Sequence, residues 1–423
     1  MTRTRTARRE AGAVSSGLYR RLVLGTMEKM KEGYLQLELP CGTMRHFGDP
    51  EAEPKAHLQI RNESFFKRVL LFGDIGFGEA YVHGDWESGN VERVIAWAIA
   101  NLQNSPFLSG SKARRFGLNL LRLGNRLQHR LRPNSIATAK SNIAQHYDLG
   151  NAFYSLWLDR TMTYSAARFT NQTRDLEAAQ IEKYDALCRK LDLKATDRVL
   201  EIGCGWGGFA EHATRRYGCQ VTCITISDEQ FHYARARMER AGLTDRATVQ
   251  LLDYRKVRGQ FDKIVSIEMM EAVGERYLEV FFRKIHEVLA PDGLLAVQFI
   301  TVPDCRRREL TRGVDWIQKH IFPGSLLLSL NRVGTAISRT GDLFVHHLED
   351  LGADYARTLR HWYENFQREL DGIRQLGFDG EFIRKWSYYL QYCEAAFAMR
   401  NISVVQAIYT RPNNLRLPEI SFR

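Results

Sequence analysis

The second half of the chain alternates short apolar runs with amphipathic segments of helical period. The apolar runs lie at about residues 197–202, 219–224, 247–252, 262–267 and 293–300, and helical spacing fills the segments between them. Parallel strands need a long crossover, usually a helix, so this alternation predicts a doubly wound α/β sheet. Two later runs, at 343–349 and 402–410, bring the predicted number of strands to seven.

The N-terminal part of the chain has a different pattern. YLQLEL at 34–39 alternates as a half-buried strand does, a second strand is predicted through 57–61, and SFFKRVLLFG at 64–73 has a helical period that ends on a glycine. A small α+β domain is therefore expected. The predicted boundaries are a disordered basic tail at 1–15, an N-terminal domain at 16–110, a basic helix and linker at 111–140, and the large α/β domain at 141–423.

A glycine-rich turn reading RVLEIGCGWGGF, at 198–209, joins the first strand of the large domain to a helix. Glycines let the backbone approach a ligand closely, and a helix N-terminus offers free N–H donors. The spacing E-x-G-x-G-x-G, from Glu201 to Gly207, favours a nucleotide-like cofactor, although an ordinary strand-to-helix turn can have the same composition. The turn lacks the GxxxxGK[ST] pattern, which argues against a triphosphate.

Composition narrows the class of protein. The 423 residues are 44% hydrophobic and 26% charged, as expected of a folded chain of two domains, and the net charge of +11 fits an anionic partner, either a phospholipid surface or nucleic acid. The seven cysteines form no CxxC pair, so neither a zinc site nor a disulfide framework is predicted, and a reducing cytoplasm fits. No apolar run approaches the roughly 18 residues of a membrane span.

Residues 112–132 read KARRFGLNLLRLGNRLQHRLR, with leucines at three- and four-residue steps between arginines. This is the pattern of a basic amphipathic helix, which can lie on an anionic membrane surface. An interdomain helix with a solvated basic face has the same pattern. Aromatic residues are dense in the next segment, at Tyr147, Phe153, Tyr154, Trp157 and Tyr164. They form either a wall around a cation or simple core packing.

Several motifs resemble those of the cyclopropane fatty acid synthases, and the mycolic acid methyltransferases are similar in the catalytic part. The motifs are YDLGN (147–151), MTYSAARF (162–169), EIGCGWGG (201–208), TISDEQ (225–230), DYR (253–255), SIEMMEAVG (266–274), IFPG (321–324) and GADYARTL (352–359). GFGEAYVHGDW at 76–86 is similar to the N-terminal domain of the bacterial synthases. The resemblance implies a Rossmann-like class I methyltransferase, with helical lid insertions on a seven-stranded, mostly parallel sheet.

The resemblance implies S-adenosylmethionine as the cofactor. It places the methionyl end near Tyr164, Ser165 and the glycine loop, the ribose near Thr225 and Gln230, and the adenine near Asp253 and Tyr254. The cofactor-binding set is thus Tyr164, Ser165, Glu201, Gly203, Cys204, Gly205, Gly207, Thr225, Gln230, Asp253 and Tyr254. For Thr225 and Gln230, capping of the next helix by Ser227 is the alternative interpretation.

In the resembled family, an alkene attacks the cofactor methyl group, a carbocation forms, and a base removes a proton. That base is a bicarbonate held by a Cys, a Glu, a His, a Tyr and a backbone group. The Glu corresponds to Glu271, the Tyr to Tyr355 and the backbone group to Ile300. The Cys position is Ala166 and the His position is Gln298, which cannot titrate. Either bicarbonate binds weakly here or another base acts.

Two further residues are catalytic candidates. Glu268 follows the strand at 262–267 together with Glu271, and a shared site could raise one pKa; a solvated or salt-bridged carboxylate is the alternative. Cys393, in YYLQYCEAAF, aligns with a cysteine often flagged in the family, although packed core is the alternative. The catalytic candidates are Glu271, Tyr355, Gln298, Cys393 and Glu268, and no metal site is expected.

The expected partners are unsaturated phospholipid acyl chains, an anionic membrane surface and a second copy of the chain in a homodimer. The protein is expected in the cytoplasm, peripherally bound to the inner face of the membrane, with IFPGSLLLSL at 321–330 in the acyl channel. The product is either a cyclopropane or a methyl-branched or methylene chain. A nucleic acid methyltransferase is disfavoured because SIEMME replaces the [DN]-P-P-[YF] motif. A cofactor- and lipid-binding protein without catalysis is the remaining alternative class.

Overall fold

The computed structural model describes residues 17–103, 149–173, 175–310 and 314–417. The predicted tail at 1–15, the amphipathic helix at 112–132 and Tyr147 lie outside these ranges. No helix among the described residues is long and apolar enough to cross a membrane.

The strands form two sheets. The first has the order β2-β1-β3-β4 and the second has the order β10-β11-β9-β8-β5-β6-β7. Their bounds are β1 Tyr34–Glu38, β2 Met44–Gly48, β3 Lys55–Ile60, β4 Trp86–Glu87, β5 Arg198–Ile202, β6 Gln220–Thr225, β7 Ala247–Leu251, β8 Phe261–Ile267, β9 Leu289–Thr301, β10 Phe344–Asp350 and β11 Ser403–Thr410.

Helices connect most of these strands. Their bounds are α1 Ser64–Val82, α2 Val91–Ala100, α3 Asn151–Trp157, α4 Leu176–Lys190, α5 Gly208–Tyr217, α6 Asp228–Ala241, α7 Leu278–Val288, α8 Asp304–Leu310, α9 Trp316–His320, α10 Leu330–Ser338, α11 Gly352–Arg368, α12 Leu370–Gln375 and α13 Gly380–Ala398. Short 3₁₀ turns lie at Tyr254–Lys256, Met270–Ala272 and Glu275–Tyr277.

The described residues form two compact units. The first contains residues 17–103, 314–321 and 374–401, and the second contains the rest. This division differs from the predicted boundaries, because two segments predicted in the large domain, among them α13, belong to the first unit. A strong sequence period identifies an element but does not identify its packing partner.

In the first unit, α1 continues past the glycine at which the sequence pattern ends. Gly73 has φ +61° and ψ −130°, so the helix is kinked there and then resumes. The helix predicted at 64–73 is thus interrupted at Gly73, as its sequence pattern indicates, and a second helical segment follows directly. Beyond the kink, Gly78 lies so close to Trp316 that a Cβ there would stand 2.5 Å from its ring. Helix packing thus explains why position 78 is a glycine.

The seven-stranded sheet of the second unit confirms the predicted fold class. Strands β5, β6, β7, β8 and β9 pair in parallel, whereas β11 runs antiparallel to β9 and β10. Fully buried side chains on the parallel strands, such as Leu200, Ile264 and Leu295, form the centre of the core. In such sheets the ligands bind beyond the carboxyl ends of the strands. That edge carries the glycine turn and the SIEMME segment.

Candidate active site

The glycine turn after β5 has a conformation that needs glycine. Gly203, Gly205 and Gly207 have φ values of +83°, +51° and +84°. The N–H groups of Gly203 and Cys204 both donate to the Ile224 carbonyl at 3.0 Å, which ties the turn to β6. A Cβ on Gly203 would meet Met269, whereas a Cβ on Gly205 would have no atom within 4 Å. Open space beside the Gly205 backbone fits a cofactor approaching the turn.

Glu201 and Cys204 are buried within this turn region. Burial raises the pKa of the Glu201 carboxyl well above its ordinary value, although the charge of Lys183 and a hydrogen bond from the Ala210 backbone oppose it. A hydrogen bond with Cys223, together with burial, raises the pKa of the Cys204 thiol. A neutral thiol is a poor nucleophile, so Cys204 acts in the turn through its backbone N–H and through the packing of its side chain.

Thr225 and Gln230 lie together at the end of β6. The Thr225 hydroxyl donates to Gln230 Oε1 at 2.8 Å, and both side chains are buried. Ser227 caps α6 by accepting a hydrogen bond from the Gln230 N–H at 3.4 Å. The capping interpretation therefore describes the Gln230 backbone correctly, and ribose binding by the two side chains stays a prediction.

Asp253 and Tyr254 begin the 3₁₀ turn after β7. The Asp253 carboxylate accepts from the Arg255 backbone at 2.9 Å and from Arg255 Nε at 2.8 Å. Burial raises the pKa of Asp253, but these hydrogen bonds outweigh it and hold the pKa below its ordinary value. The Tyr254 ring packs edge-on against Phe281 at 5.3 Å. Arg255 thus orients an ionised Asp253, and adenine binding by Asp253 and Tyr254 stays a prediction.

Four of the five predicted aromatic residues, all but Tyr147, lie in a continuous cluster in the second unit. Tyr154 lies 5.2 Å from Trp206 of the glycine turn and 5.6 Å from Tyr164, measured between ring centroids. Tyr164 lies 5.2 Å from Trp362, which lies 6.0 Å from Tyr355. The cluster therefore extends from the cofactor turn to a predicted catalytic tyrosine. Ring faces stabilise nearby cations, so this arrangement fits both a sulfonium and a carbocation.

Sequence reasoning missed Lys183, which has no exposed surface. Its Nζ donates to Ser165 Oγ at 2.7 Å, and its charge interacts with Glu268, Asp159 and Glu201. Burial lowers the pKa of Lys183, while those carboxyl groups raise it. Burial has the larger effect and lowers the pKa of Lys183 to about 7, so the side chain fixes Ser165 while its positive charge is only partial near neutral pH. The only available signal was a lysine on the core face of a helix, which the sequence alone does not distinguish from a surface lysine.

Three donors converge on the Glu268 carboxylate. Oε1 accepts from the Ala166 N–H at 2.8 Å and from Gln298 Nε2 at 2.7 Å, and the Tyr355 hydroxyl also hydrogen-bonds to the carboxylate. Burial raises the pKa of Glu268 above its ordinary value, and these hydrogen bonds and the charge of Lys183 oppose that rise without cancelling it. The interpretation of Glu268 as a solvated carboxylate is therefore wrong. The carboxylate is held in place by residues from three separate parts of the chain.

The backbone at Glu268 is strained. Its φ is +48°, in the left-handed region, which costs a non-glycine residue about 1–2 kcal/mol. The N–H of Glu268 donates to the Gln298 carbonyl at 2.7 Å, which helps to hold this conformation. Strain of this kind persists where the surrounding structure compensates for it, and it is concentrated at functional sites.

Glu271 lies beside Glu268 in a different environment. Its Oε1 accepts from the Ile300 N–H at 2.6 Å, while its Oε2 is buried and accepts no hydrogen bond from the described residues. Burial, followed by the negative charge of Glu268, raises the pKa of Glu271 to about 8. The two carboxyl groups thus differ in their tendency to hold a proton. The pKa of both carboxyl groups is raised, but Glu268 has donors that favour its ionised form, whereas Glu271, with a pKa of about 8, holds a proton near neutral pH.

Glu271→Gln is expected to raise the melting temperature at high pH. The pKa of Glu271 rises on folding from 4.5 to about 8, so its contribution to stability is complete below pH 4.5 and is lost as pH rises through 8. The variant should match the native protein near pH 4.5 and exceed it above pH 8. Differential scanning fluorimetry across this range measures the difference.

Glu275→Gln is the matched control for that experiment. Although burial raises the pKa of Glu275, hydrogen bonds and charges from Arg332 and Arg307 lower it overall. Its contribution to stability is present at neutral pH and is lost in acid, so this variant should lower the melting temperature at pH 7. Equal pH profiles for the two variants would contradict the assignment of Glu271 as a protonated group.

The remaining catalytic candidates lie in different units of the structure. Gln298 and Tyr355 contact Glu268, as described. Cys393 lies on α13 of the first unit and is not a member of the carboxylate cluster of the second unit. Burial and the charge of Asp315 raise the pKa of its thiol, which favours the unreactive form. A catalytic role for Cys393 stays a prediction.

Comparison with known proteins identifies the family. Residues 134–407 match the family described as mycolic acid cyclopropane synthetase. The chain belongs to this family. Accordingly, this member of the mycolic acid cyclopropane synthetase family is an S-adenosylmethionine-dependent enzyme that modifies lipid chains, with a Rossmann-like methyltransferase fold.

Two relatives align with most of the length of this family member. The tuberculostearic acid methyltransferase UfaA1 of Mycobacterium tuberculosis is 36% identical over 412 residues, which cover 93% of this chain and 91% of the relative. The cyclopropane-fatty-acyl-phospholipid synthase of Escherichia coli is 36% identical over 367 residues, covering 86% and 90%. Among solved structures, the mycolic acid cyclopropane synthase CmaA1 in complex with SAH and CTAB has 28% identity and a TM-score of 0.60, and it covers 64% of this chain and 98% of that chain.

The structure discriminates between the two cofactors that the resemblance implied. The glycine turn, with its positive φ values and the open space beside Gly205, fits S-adenosylmethionine. The residues at the positions that the resemblance assigned to bicarbonate do not suit the binding of a further anion. Ala166, Gln298 and Tyr355 already bind Glu268, and Ile300 binds Glu271. The residues present in this family member therefore hold a carboxylate of the chain itself where the resemblance placed bicarbonate.

Proposed function

We propose that the protein transfers a methyl group to the double bond of unsaturated phospholipid acyl chains, through a carbocation intermediate, with Glu268 as the base. The substrate lies in an anionic membrane, to which the protein binds peripherally from the cytoplasm, and the protein acts as a homodimer. The net charge of +11 and the basic segment at 112–132 support the membrane part of this proposal. The two relatives named for fatty acyl products support the substrate class.

The convergence of three donors on Glu268 carries the proposal. When bound, S-adenosylmethionine supplies an electrophilic methyl group to the alkene. The acyl carbocation must then lose a proton before water reaches it. The Ala166 N–H, the Gln298 amide and the Tyr355 hydroxyl fix the Glu268 carboxylate and favour its ionised form, as a base requires. Glu271, with its raised pKa, is not the base at neutral pH.

An apolar segment beside the carboxylates supports an acyl chain as the substrate. The Leu326 N–H donates to the Glu271 carbonyl at 2.8 Å, and Phe322 lies 6.3 Å from Tyr164 between ring centroids. Phe322, Leu326 and Leu327 are half-buried, whereas Leu328 is fully buried and is fixed to β9. Partly exposed apolar side chains beside Glu271 and Tyr164 form a suitable wall for an alkyl chain.

An open-chain product is the second part of the proposal. Loss of a proton from the transferred methyl group closes a cyclopropane, whereas loss from the chain, or from the methyl group after a hydride shift, leaves a branched chain that retains one double bond. The Glu268 carboxylate is fixed by the chain itself, unlike a bound bicarbonate. The similarity to a tuberculostearic acid methyltransferase favours the branched outcome.

Mass spectrometry with a trideuteromethyl cofactor tests the function. Vesicles of unsaturated anionic phospholipid should gain label, and zwitterionic vesicles should gain less. A branched product with an internal double bond retains three deuteriums, whereas a methylene product retains two and takes up hydrogen on mild catalytic reduction. A cyclopropane retains two and resists mild reduction, and finding only that species would overturn the open-chain product. No labelled lipid would overturn the function and favour a binding protein without catalysis.

A further inference from the structure

A row of polar side chains crosses three neighbouring strands next to the carboxylates. Gln298 of β9 lies directly opposite Gln406 of β11, which lies opposite Glu349 of β10. Both glutamines have no exposed surface. Gln406 Nε2 donates to Gln298 Oε1 at 2.9 Å, and Lys190 Nζ donates to Gln406 Oε1 at 2.7 Å. Lys190 also pairs with Glu349.

The chemistry of these groups fixes the direction of every hydrogen bond in the row. An ammonium group has donors but no acceptor, so Gln406 must turn its oxygen toward Lys190. Its NH₂ group then faces Gln298, whose oxygen must accept. The NH₂ group of Gln298 is therefore directed toward Glu268 Oε1 at 2.7 Å and toward the Ala166 carbonyl at 3.2 Å.

We propose that Lys190 is a positioning residue for catalysis. Through Gln406 it fixes the orientation of the Gln298 amide, and this orientation provides Glu268 with a hydrogen-bond donor rather than an acceptor. The inference rests on the proposed function of Glu268 as the base. Neither Lys190 nor Gln406 contacts Glu268 in the hydrogen bonds described, so the effect acts entirely through the amide of Gln298.

Without Lys190 the row can reverse. Gln406 can then donate to Glu349, Gln298 can donate to Gln406, and Gln298 Oε1 faces Glu268. That arrangement is satisfied only when Glu268 is protonated and donates, so reversal raises the pKa of the base. The charged groups facing Lys190 are Glu349, Arg168 and Arg189. Lys183 is the charged group that acts on Glu268, and Glu268 is the charged group that acts on Glu271.

The pH dependence of kcat in the full-length protein tests this proposal. Lys190→Met should move the acid limb of the profile up by about one pH unit, with about tenfold lower kcat below that limb and an unchanged KM for S-adenosylmethionine. Lys190→Arg retains a group that only donates and should restore the native profile. Lys194→Met is the matched control, because Lys194 is exposed and pairs with Asp192.

Gln406→Glu provides a second variant of nearly unchanged shape. A carboxylate at this position only accepts, so Gln298 must donate to it and turn its oxygen toward Glu268, while the ion pair with Lys190 remains available. The acid limb should again move up. Native profiles for both Lys190→Met and Gln406→Glu would overturn the proposal. Full activity of Glu268→Gln, measured in parallel, would instead overturn the assignment of the base.

Discussion

Glu268→Gln should lower kcat by about 10³-fold, within the range that a positioned general base contributes. The amide oxygen of the new side chain can still accept from the Ala166 N–H and from Gln298, so the local structure should survive. The amide cannot remove a proton, so the acyl carbocation persists. Transfer of radiolabel from the cofactor methyl group into phospholipid measures the rate.

Calorimetric titration with S-adenosylmethionine should show unchanged affinity in this variant. Glu239→Gln, which changes an exposed carboxylate paired with Arg235, controls for the loss of one negative charge. Activity of Glu268→Gln within threefold of the native rate would place the base elsewhere, with Glu271 as the next candidate.

Glu268→Gly provides an independent test of the same residue. It leaves the donors of Ala166, Gln298 and Tyr355 without their carboxylate, so added bicarbonate or formate should restore part of the activity. The native enzyme should not respond to either anion. Because φ at this position is +48°, glycine should also raise the free energy of unfolding by about 1 kcal/mol. Higher stability with lost activity would show that the strain serves the site.

Gly205→Val should weaken cofactor binding by roughly 100-fold, which corresponds to about 2.7 kcal/mol. The Cβ at this position would project into open space beside the turn, where the cofactor must approach the backbone. Titration calorimetry with S-adenosylmethionine measures the affinity directly.

Gly242→Val is the matched control, because Gly242 has φ +67°, open space around its Cβ and a position at the C-terminus of α6. Both variants strain a left-handed backbone, so both should lose similar stability. Only Gly205→Val should lose affinity. Equal affinities would exclude the turn as the cofactor site.

The strands of the second unit were accessible from sequence because their signal is local. Each parallel strand is a short apolar run between helical segments, and the glycine turn marks the site edge. The packing of α13 in the first unit was not accessible, since amphipathic periodicity shows that a helix has a partner without identifying it. The helical segment after Gly73 was not predicted, because its glycine-rich sequence gives no helical signal, and the packing of Gly78 against Trp316 is seen only in the structure.

The carboxylate cluster was predicted only in part. The resemblance implied Glu271 and Tyr355, and the position after the strand at 262–267 added Glu268, but Ala166 offers no side-chain donor and was interpreted as a loss. Its backbone N–H supplies the hydrogen bond instead. Lys190 and Gln406 lie in no motif, and they reach the site only through strand register and helix packing.

The first unit is formed by three segments that are far apart in the sequence, and this constrains the order in which the chain can fold. Tyr388 of α13 packs against Tyr81 at 5.6 Å and against Trp316 at 4.7 Å between ring centroids, and the Gln391 amide oxygen accepts from the Val91 N–H at 3.1 Å. During synthesis, the N-terminal sheet and α1 therefore remain without these partners until almost the whole chain has left the ribosome. Contacts between residues 300 positions apart close slowly. Apolar surface on the nascent N-terminal segment is consequently a target for chaperones, and a fragment that stops after α2 should aggregate rather than fold.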